Sequence, residues 1–293
     1  MFSSKNKPVT QTALPVHLYA PNIRLSFRGI LKTIAKEFPV AHSLGFRFAE
    51  RNIRARYRQS VLGILWALLP PLATAAIWII LQQNNIVLLK NTGENYALFV
   101  ITGTMLWSVF SNAVLMPIQT IQANTGILVK INFPREALMI TAFYEILFNT
   151  AVALIIIVAE VLFFQVPVSL HSLVFFPAII LLIVMGMAIG LLILPLAMLY
   201  KDIQFVLPTF LQFAMYLTPV VYATPVFSGA AKILTLNPVS PVLTFGRDGL
   251  LGLNTAIDFG QLGLIAFAAI VVLTLGIILQ RIAIEILIER MGT

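Results

Sequence analysis

The stretch RNIRARYRQSVLGILWALLPPL, residues 51–72, decides the fold. Its first eight residues carry four arginines, Arg51, Arg54, Arg56 and Arg58, and from Val61 no charged residue appears until Lys90. Dense positive charge giving way to an uncharged apolar run marks a helix passing from the cytoplasmic interface into hydrocarbon, whose roughly 30 Å core needs about 20 apolar residues. Five similar runs follow, placing expected spans at residues 61–81, 97–115, 138–164, 173–199, 203–222 and 262–279. The expected fold class is therefore an all-α integral membrane protein with six transmembrane helices.

Composition agrees with that reading. Of 293 residues, 59% are hydrophobic and 10% charged, whereas soluble domains carry about 25% charge. A net charge of +8 would suit a nucleic-acid binder, but a soluble binder cannot leave so much apolar surface in water, so no nucleic-acid partner is expected. The charge follows the loops instead. Eleven Lys and Arg precede the first span, two (Lys130, Arg135) separate the second from the third, one (Lys201) separates the fourth from the fifth, and two (Arg281, Arg290) lie in the tail. The opposite side holds only Lys90, Lys232 and Arg247. The positive-inside rule then puts both termini in the cytoplasm and the chain in the cytoplasmic (inner) membrane, which requires an even number of spans. The first sixty residues contain no apolar run of the length or position of a signal peptide, so none is expected.

Two regions outside the spans are also informative. Phe27, Ile30, Leu31, Ile34 and Phe38 fall at helical spacing, with Arg28, Lys32 and Lys36 elsewhere on the turn. An amphipathic helix lying in the inner interface is expected there, within a cytoplasmic N-terminal segment 1–60 that precedes a six-span domain 61–293. Between the fifth and sixth spans, residues 223–261 mix short apolar runs with Pro225, Pro238, Pro241, Gly246, Gly249 and Gly252. Short half-helices on the outward side, sheltered by the spans, would satisfy their backbone groups.

Little here does chemistry. The chain has no cysteine, which removes disulfides, thiolate nucleophiles and thiolate zinc sites. His17, His42 and His171 are widely separated, and the three aspartates form no DxD pair, so neither a metal site nor a catalytic constellation is expected. No glycine precedes a lysine, so a GxxxxGK[ST] phosphate loop is missing from the sequence and any ATP must be hydrolysed by another subunit. Glu145 and Glu160 sit in the third span, where a carboxylate serves either as a structural partner or as a coupling or substrate contact. Gly186 and Gly190 form a GxxxG pair suited to close helix packing, within the chain or between copies. No repeat or matching broken segments point to a secondary transporter.

The segment from Arg51 to Leu72 resembles the corresponding segment of permease subunits of type-2 ABC exporters for polysaccharides and polyol phosphates, the Wzm-like O-antigen, capsule and teichoic-acid permeases. Arg51, Tyr57, Ser60, Leu62, Gly63 and Trp66 carry the likeness. It continues in order through Phe133-Pro134-Arg135-Glu136, Tyr200-Lys201-Asp202-Ile203, Thr218-Pro219-Val220-Val221-Tyr222, Asn237-Pro238 and Arg247-Asp248. It thus covers the chain from about residue 45 onward. Lys201 departs from the arginine more frequent there, keeping the charge and losing the fork-like hydrogen bonding.

The resemblance implies a homodimer of permeases bound to two nucleotide-binding ATPase subunits, which hold ATP and Mg while this chain binds no cofactor. It implies a lipid-linked polysaccharide as substrate, passing through a channel between the two permeases among membrane lipids. It also implies a cytoplasmic coupling helix within residues 117–133, where Ile118, Gln119, Ile121, Gln122, Asn124 and Leu128 are the candidate contacts with the ATPase. Arg51, Arg54, Arg56 and Arg58 either attract the substrate pyrophosphate or lipid headgroups at a cytoplasmic entrance, or fix topology and touch the ATPase. Aromatic rings suit a moving sugar chain because pyranose C–H faces stack on them. Trp66, Trp107, Phe213, Tyr216 and Tyr222 are candidate channel or gate residues, with Trp78, Phe110 and Phe210 as further liners and Pro219 loosening the helix beyond Tyr216. Two other readings compete: the same architecture exporting a small hydrophobic compound, and an ion-coupled transporter built on Glu145.

Overall fold

The computed structural model describes residues 27–58, 60–86, 95–130, 133–167, 169–223, 236–253 and 258–291. Among these, all regular structure is helical: α1 Phe27–Tyr57, α2 Leu65–Gln83, α3 Tyr96–Ala123, α4 Thr125–Lys130, α5 Glu136–Phe163, α6 Phe175–Leu199, α7 Ile203–Tyr216, α8 Val239–Leu251 and α9 Phe259–Met291. A 3₁₀ turn, Leu170–Val174, leads into α6. The chain divides into two units, residues 1–36, which contribute the first turns of α1, and residues 37–293, which hold all the other elements. The expected amphipathic segment from Phe27 is helical, but the side chains up to residue 35 lie outside the described residues, as do residues 224–235 of the outward stretch.

Five helices are long and apolar enough to cross a membrane: Leu65–Gln83, Tyr96–Ala123, Glu136–Phe163, Ser172–Leu199 and Phe259–Ile284. The chain is a multi-pass membrane protein. Helix α3 is the central one, buried along most of its length and packed against α2, α5, α6, α7 and α8. Helices α2 and α9 are largely uncovered within the chain. Gly186 and Gly190 seat α6 on α3: a Cβ at Gly186 would collide with Ala113, and one at Gly190 with the Val114 carbonyl. The GxxxG pair therefore serves packing inside the chain.

The first span begins later than expected. Gly63 takes a left-handed φ of 50°, a conformation that costs glycine little, and its amide donates to Ser60 Oγ at 3.0 Å. Residues 61–64 therefore form a turn, and α2 starts at Leu65.

The expected fifth span, 203–222, is corrected more substantially. Helix α7 has 14 residues, about 21 Å at 1.5 Å per residue, short of the roughly 30 Å hydrocarbon core. It stops because Thr218 precedes Pro219, which disfavours helical backbone at Thr218 and has no amide to donate. Beyond the exposed Leu217, the irregular segment 218–223 is nonetheless largely buried, with Thr218, Val220, Val221 and Ala223 in the core. Its carbonyls find donors elsewhere: Arg247 Nη1 donates to Pro219 O at 2.6 Å and to Val220 O at 3.3 Å, and the Tyr96 hydroxyl donates to Val221 O at 3.0 Å.

Of the short half-helices expected between the fifth and sixth spans, the described residues contain one, α8, buried against α6, α3 and the 3₁₀ turn. It ends at Gly252, whose φ of 66° closes the helix in the left-handed region.

Candidate functional site

Helix α1 packs beside α5 because Gly45 has no side chain. A Cβ there would come within 2.7 Å of Ala137 O and 2.8 Å of Ile140, and Thr141 Oγ1 donates to Gly45 O at 3.1 Å. Phe46 meets Tyr144 edge-on, and Phe48 meets Phe133. This anchoring positions the polar end of α1 along α3 and α5. Arg51 Nη2 donates to Asn124 Oδ1 at the end of α3. The next residue, Asn52, donates Nδ2 to Glu145 Oε1 at 2.8 Å, and one turn further Arg56 Nη2 pairs with Glu145 Oε2 at 2.7 Å. Glu145 is buried, so it has the structural partners that the sequence left undecided. Glu160 is buried as well, accepting from Thr102 Oγ1, and its Oε2 has no partner among the described residues.

The arginines of α1 divide by face. Arg47, Arg51, Arg54 and Arg58, spaced 4, 3 and 4 residues apart, line a cleft of about 570 Å³ with Glu50 and Ala55. Arg54 pairs with Glu50 at 2.6 Å, and its side chain remains 78% exposed. Arg47 belongs to this stripe although its neighbourhood to the entrance arginines was not singled out in the sequence; its helical spacing from Arg51 is the signal. Arg56 lies on another face. With Tyr57 and Ser60 it borders a second cavity of about 270 Å³, completed by Trp66 and Ala67 of α2, Asn112 of α3 and Asn149 of α5.

The candidate coupling segment is not an independent helix. Helix α3 runs on to Ala123, breaks at Asn124 and resumes as the six residues of α4. Asn124 is fully buried, donating Nδ2 to Thr120 O at 2.7 Å while accepting from Arg51. Ile118, Ile121 and Leu128 are buried in this chain's core, Gln122 is half-buried, and Gln119, Ala123 and Gly126 face outward.

The candidate channel aromatics also separate. Trp107 and Phe110 are buried, their rings 5.2 Å apart, and Pro219 is buried under Arg247. Trp66, Phe210, Phe213 and Tyr216 are exposed. Trp78 lies 6.3 Å from Tyr216, and the half-buried Tyr222 donates its hydroxyl to Tyr216 O at 3.1 Å. Among the described residues no group of three His, Asp or Glu side chains is placed to hold a metal. His42 instead shares a 2.7 Å hydrogen bond with the Tyr144 hydroxyl.

The chain is thus a helical multi-pass bundle in which a basic α1 is seated on α5 and the irregular end of α7 is latched by the buried Arg247. The chain belongs to the ABC-2 type transporter family, whose model matches residues 46–251, from the middle of α1 to the end of α8. It is similar to the O-antigen export system permease protein RfbA of Myxococcus xanthus, 24% identical over 216 residues that cover 72% of this chain and 81% of that protein. It is also similar to the protein of the same name from Klebsiella pneumoniae, 22% identical over 244 residues, covering 80% of this chain and 92% of that protein.

Proposed function

We propose that this chain is the transmembrane subunit of an ATP-driven exporter that carries a lipid-linked polysaccharide across the cytoplasmic membrane. The observation that supports this most directly is the likeness, over 72% and 80% of this chain, to permeases named for O-antigen export. In this reading two copies bound to two ATPase subunits form the channel, ATP and Mg reside in the ATPases, and both termini are cytoplasmic. Helix α7 with residues 217–223 then makes the fifth of six crossings.

The geometry suggests how work enters. An ATPase pressing on the break at Asn124 meets Gln119, Ala123 and Gly126, since Ile118, Ile121 and Leu128 face the core. Arg51 carries that displacement to α1 through its bond to Asn124. The neighbouring Asn52 and Arg56 tie α1 to Glu145 of α5. The exposed arginine stripe of α1 attracts a pyrophosphate or lipid headgroups, and Trp66, Phe213, Tyr216 and Tyr222 supply faces for sugar rings.

A chromosomal deletion complemented by wild type or by Arg54→Gln/Arg58→Gln tests the reading. Surface polymer, followed by immunoblot, should vanish on deletion while lipid-linked polymer accumulates inside, and the double variant should restore it only in part. Surface polymer undiminished by the deletion would refute the proposal.

A further inference from the structure

We infer that the cavity between α1, α2, α3 and α5 binds one uncharged hexopyranosyl residue, an inference that rests on the export reading and names the part of the substrate held there. Four observations point to a neutral sugar. Among the described residues the cavity's one cation, Arg56, is already paired with the buried carboxylate of Glu145 at 2.7 Å, so the site has little net charge to offer a phosphate. Its flat wall is Trp66, 54% exposed, whose electron-rich face suits the polarised C–H surface of a pyranose. Lining groups donate and accept in the mixed pattern that hydroxyls require: Asn112 Nδ2 already donates to Ser108 O and Ser60 Oγ accepts from the Gly63 amide, which leaves their remaining lone pairs and hydrogens beside the amide of Asn149. Asn149 Oδ1 is buried without a hydrogen-bond partner among the described residues, an acceptor awaiting a donor.

The prolines of α2 add to this. Pro70 and Pro71 have no amide hydrogen, so the carbonyls of Trp66 and Ala67, two residues that line the cavity, lose the amide four residues on that an α-helix would supply. Sugar hydroxyls are donors of the right size for such groups. The volume of about 270 Å³ lies just under the roughly 300–1,000 Å³ of pockets for drug-sized ligands, room for one ring rather than an oligosaccharide. On the same helix, Arg47, Arg51, Arg54 and Arg58 face a separate cleft. The end of α1 thus sorts its ligand chemistry: anion to the arginine stripe, neutral ring to the tryptophan cavity.

Saturation-transfer NMR on the full chain purified in nanodiscs tests this, with methyl α-D-glucopyranoside, methyl α-D-mannopyranoside and methyl α-D-galactopyranoside as probes. Transfer to the ring C–H protons of at least one probe is expected. Affinity should fall about tenfold in Trp66→Ala and in Asn149→Ala, the loss of one good contact, and stay unchanged in Phe163→Ala, an exposed aromatic outside the cavity. Each variant is first shown to melt as the wild type does. Inorganic pyrophosphate should not displace the sugar. No transfer to any of the three probes, equal transfer in Trp66→Ala and wild type, or displacement by pyrophosphate each overturns the inference. If deletion of the chain abolishes polymer export while no probe binds, the export reading stands and the sugar site falls. If a probe binds at Trp66 while export is independent of the chain, the sugar site stands and the export reading falls.

Discussion

Replacing Arg247 by methionine should be among the most damaging single changes in this protein. The side chain is 1% exposed, its Cζ lies 3.6 Å from the centroid of the Phe99 ring, and its Nε pairs with Asp248 Oδ1 at 2.8 Å. Its Nη1 serves the carbonyls of Pro219 and Val220, which α7 leaves unpaired when it ends at Tyr216. Methionine fills much of the volume but withdraws the charge from a buried carboxylate and the donors from two buried carbonyls. Removing one partner of a buried pair costs about 3–5 kcal/mol, and the orphaned carbonyls, at about 1–3 kcal/mol each, fall within rather than on top of that range. The expected loss is therefore about 3–5 kcal/mol, roughly a 10²- to 10⁴-fold shift in the folded-to-unfolded ratio. Unfolding of the purified protein by increasing SDS, followed by tryptophan fluorescence, measures it. Adding Asp248→Asn to Arg247→Met should recover at least about 1 kcal/mol, because a neutral amide is cheaper to bury than a carboxylate stripped of its cation. Arg54→Met, which breaks an exposed pair, should change stability by less than about 1 kcal/mol. An Arg247→Met protein within about 1 kcal/mol of wild type, or one no weaker than Arg54→Met, would refute the latch.

Three further outcomes follow from the packing and the relay. Asn124→Ala deletes the acceptor for Arg51, so in the complex with its ATPase polymer export should drop while ATP turnover persists; parallel loss of both would count against a relay through α1. Gly190→Leu should abolish recovery of folded protein, since Val114 O and Pro117 leave no room for a side chain, whereas Gly126→Ala, with open space around it in α4, should be neutral or stabilise by up to about 1 kcal/mol; expression with monodispersity on size exclusion distinguishes them. Tyr222→Phe, losing the bond to Tyr216 O, should alter the export rate while costing only about 0.5–1.5 kcal/mol of stability, and an export rate equal to wild type would argue against a gate at this end of α7.

Much of the bundle was legible because a bilayer imposes a length and a composition. The charge-free runs located α2, α3, α5, α6 and α9 to within a few residues at most of their ends. The exceptions are boundaries that hydropathy does not encode. Residues 203–222 read as one apolar run, but the bends at Thr218-Pro219 are tolerable only because Arg247 and Tyr96 supply donors, and those lie far away in sequence. Ile118, Ile121 and Leu128 looked suitable for docking to a partner since aliphatic residues on a short segment look alike whether they point in or out; α3 runs on into that segment and buries Ile118 and Ile121, and α4 buries Leu128. Glu145 stood out as an unexplained intramembrane carboxylate, and its partner Arg56 is 89 residues earlier in the chain, a separation no local pattern bridges. The cavity was half visible: Arg56 and Trp66 were singled out for separate roles, and only folding brings Asn112 and Asn149 beside them.

The central claim, that this chain conducts a lipid-linked polysaccharide under power supplied by a separate ATPase, is tested most directly by reconstitution. Proteoliposomes containing the chain and its ATPase, loaded on one leaflet with the lipid-linked polymer of the source cell, report transfer as polymer becoming accessible to a glycosidase on the other side. Transfer should require ATP, the ATPase and this chain together. Transfer by the chain alone along an ion gradient, or ATP-driven movement of a small hydrophobic dye with none of the polymer, would contradict it.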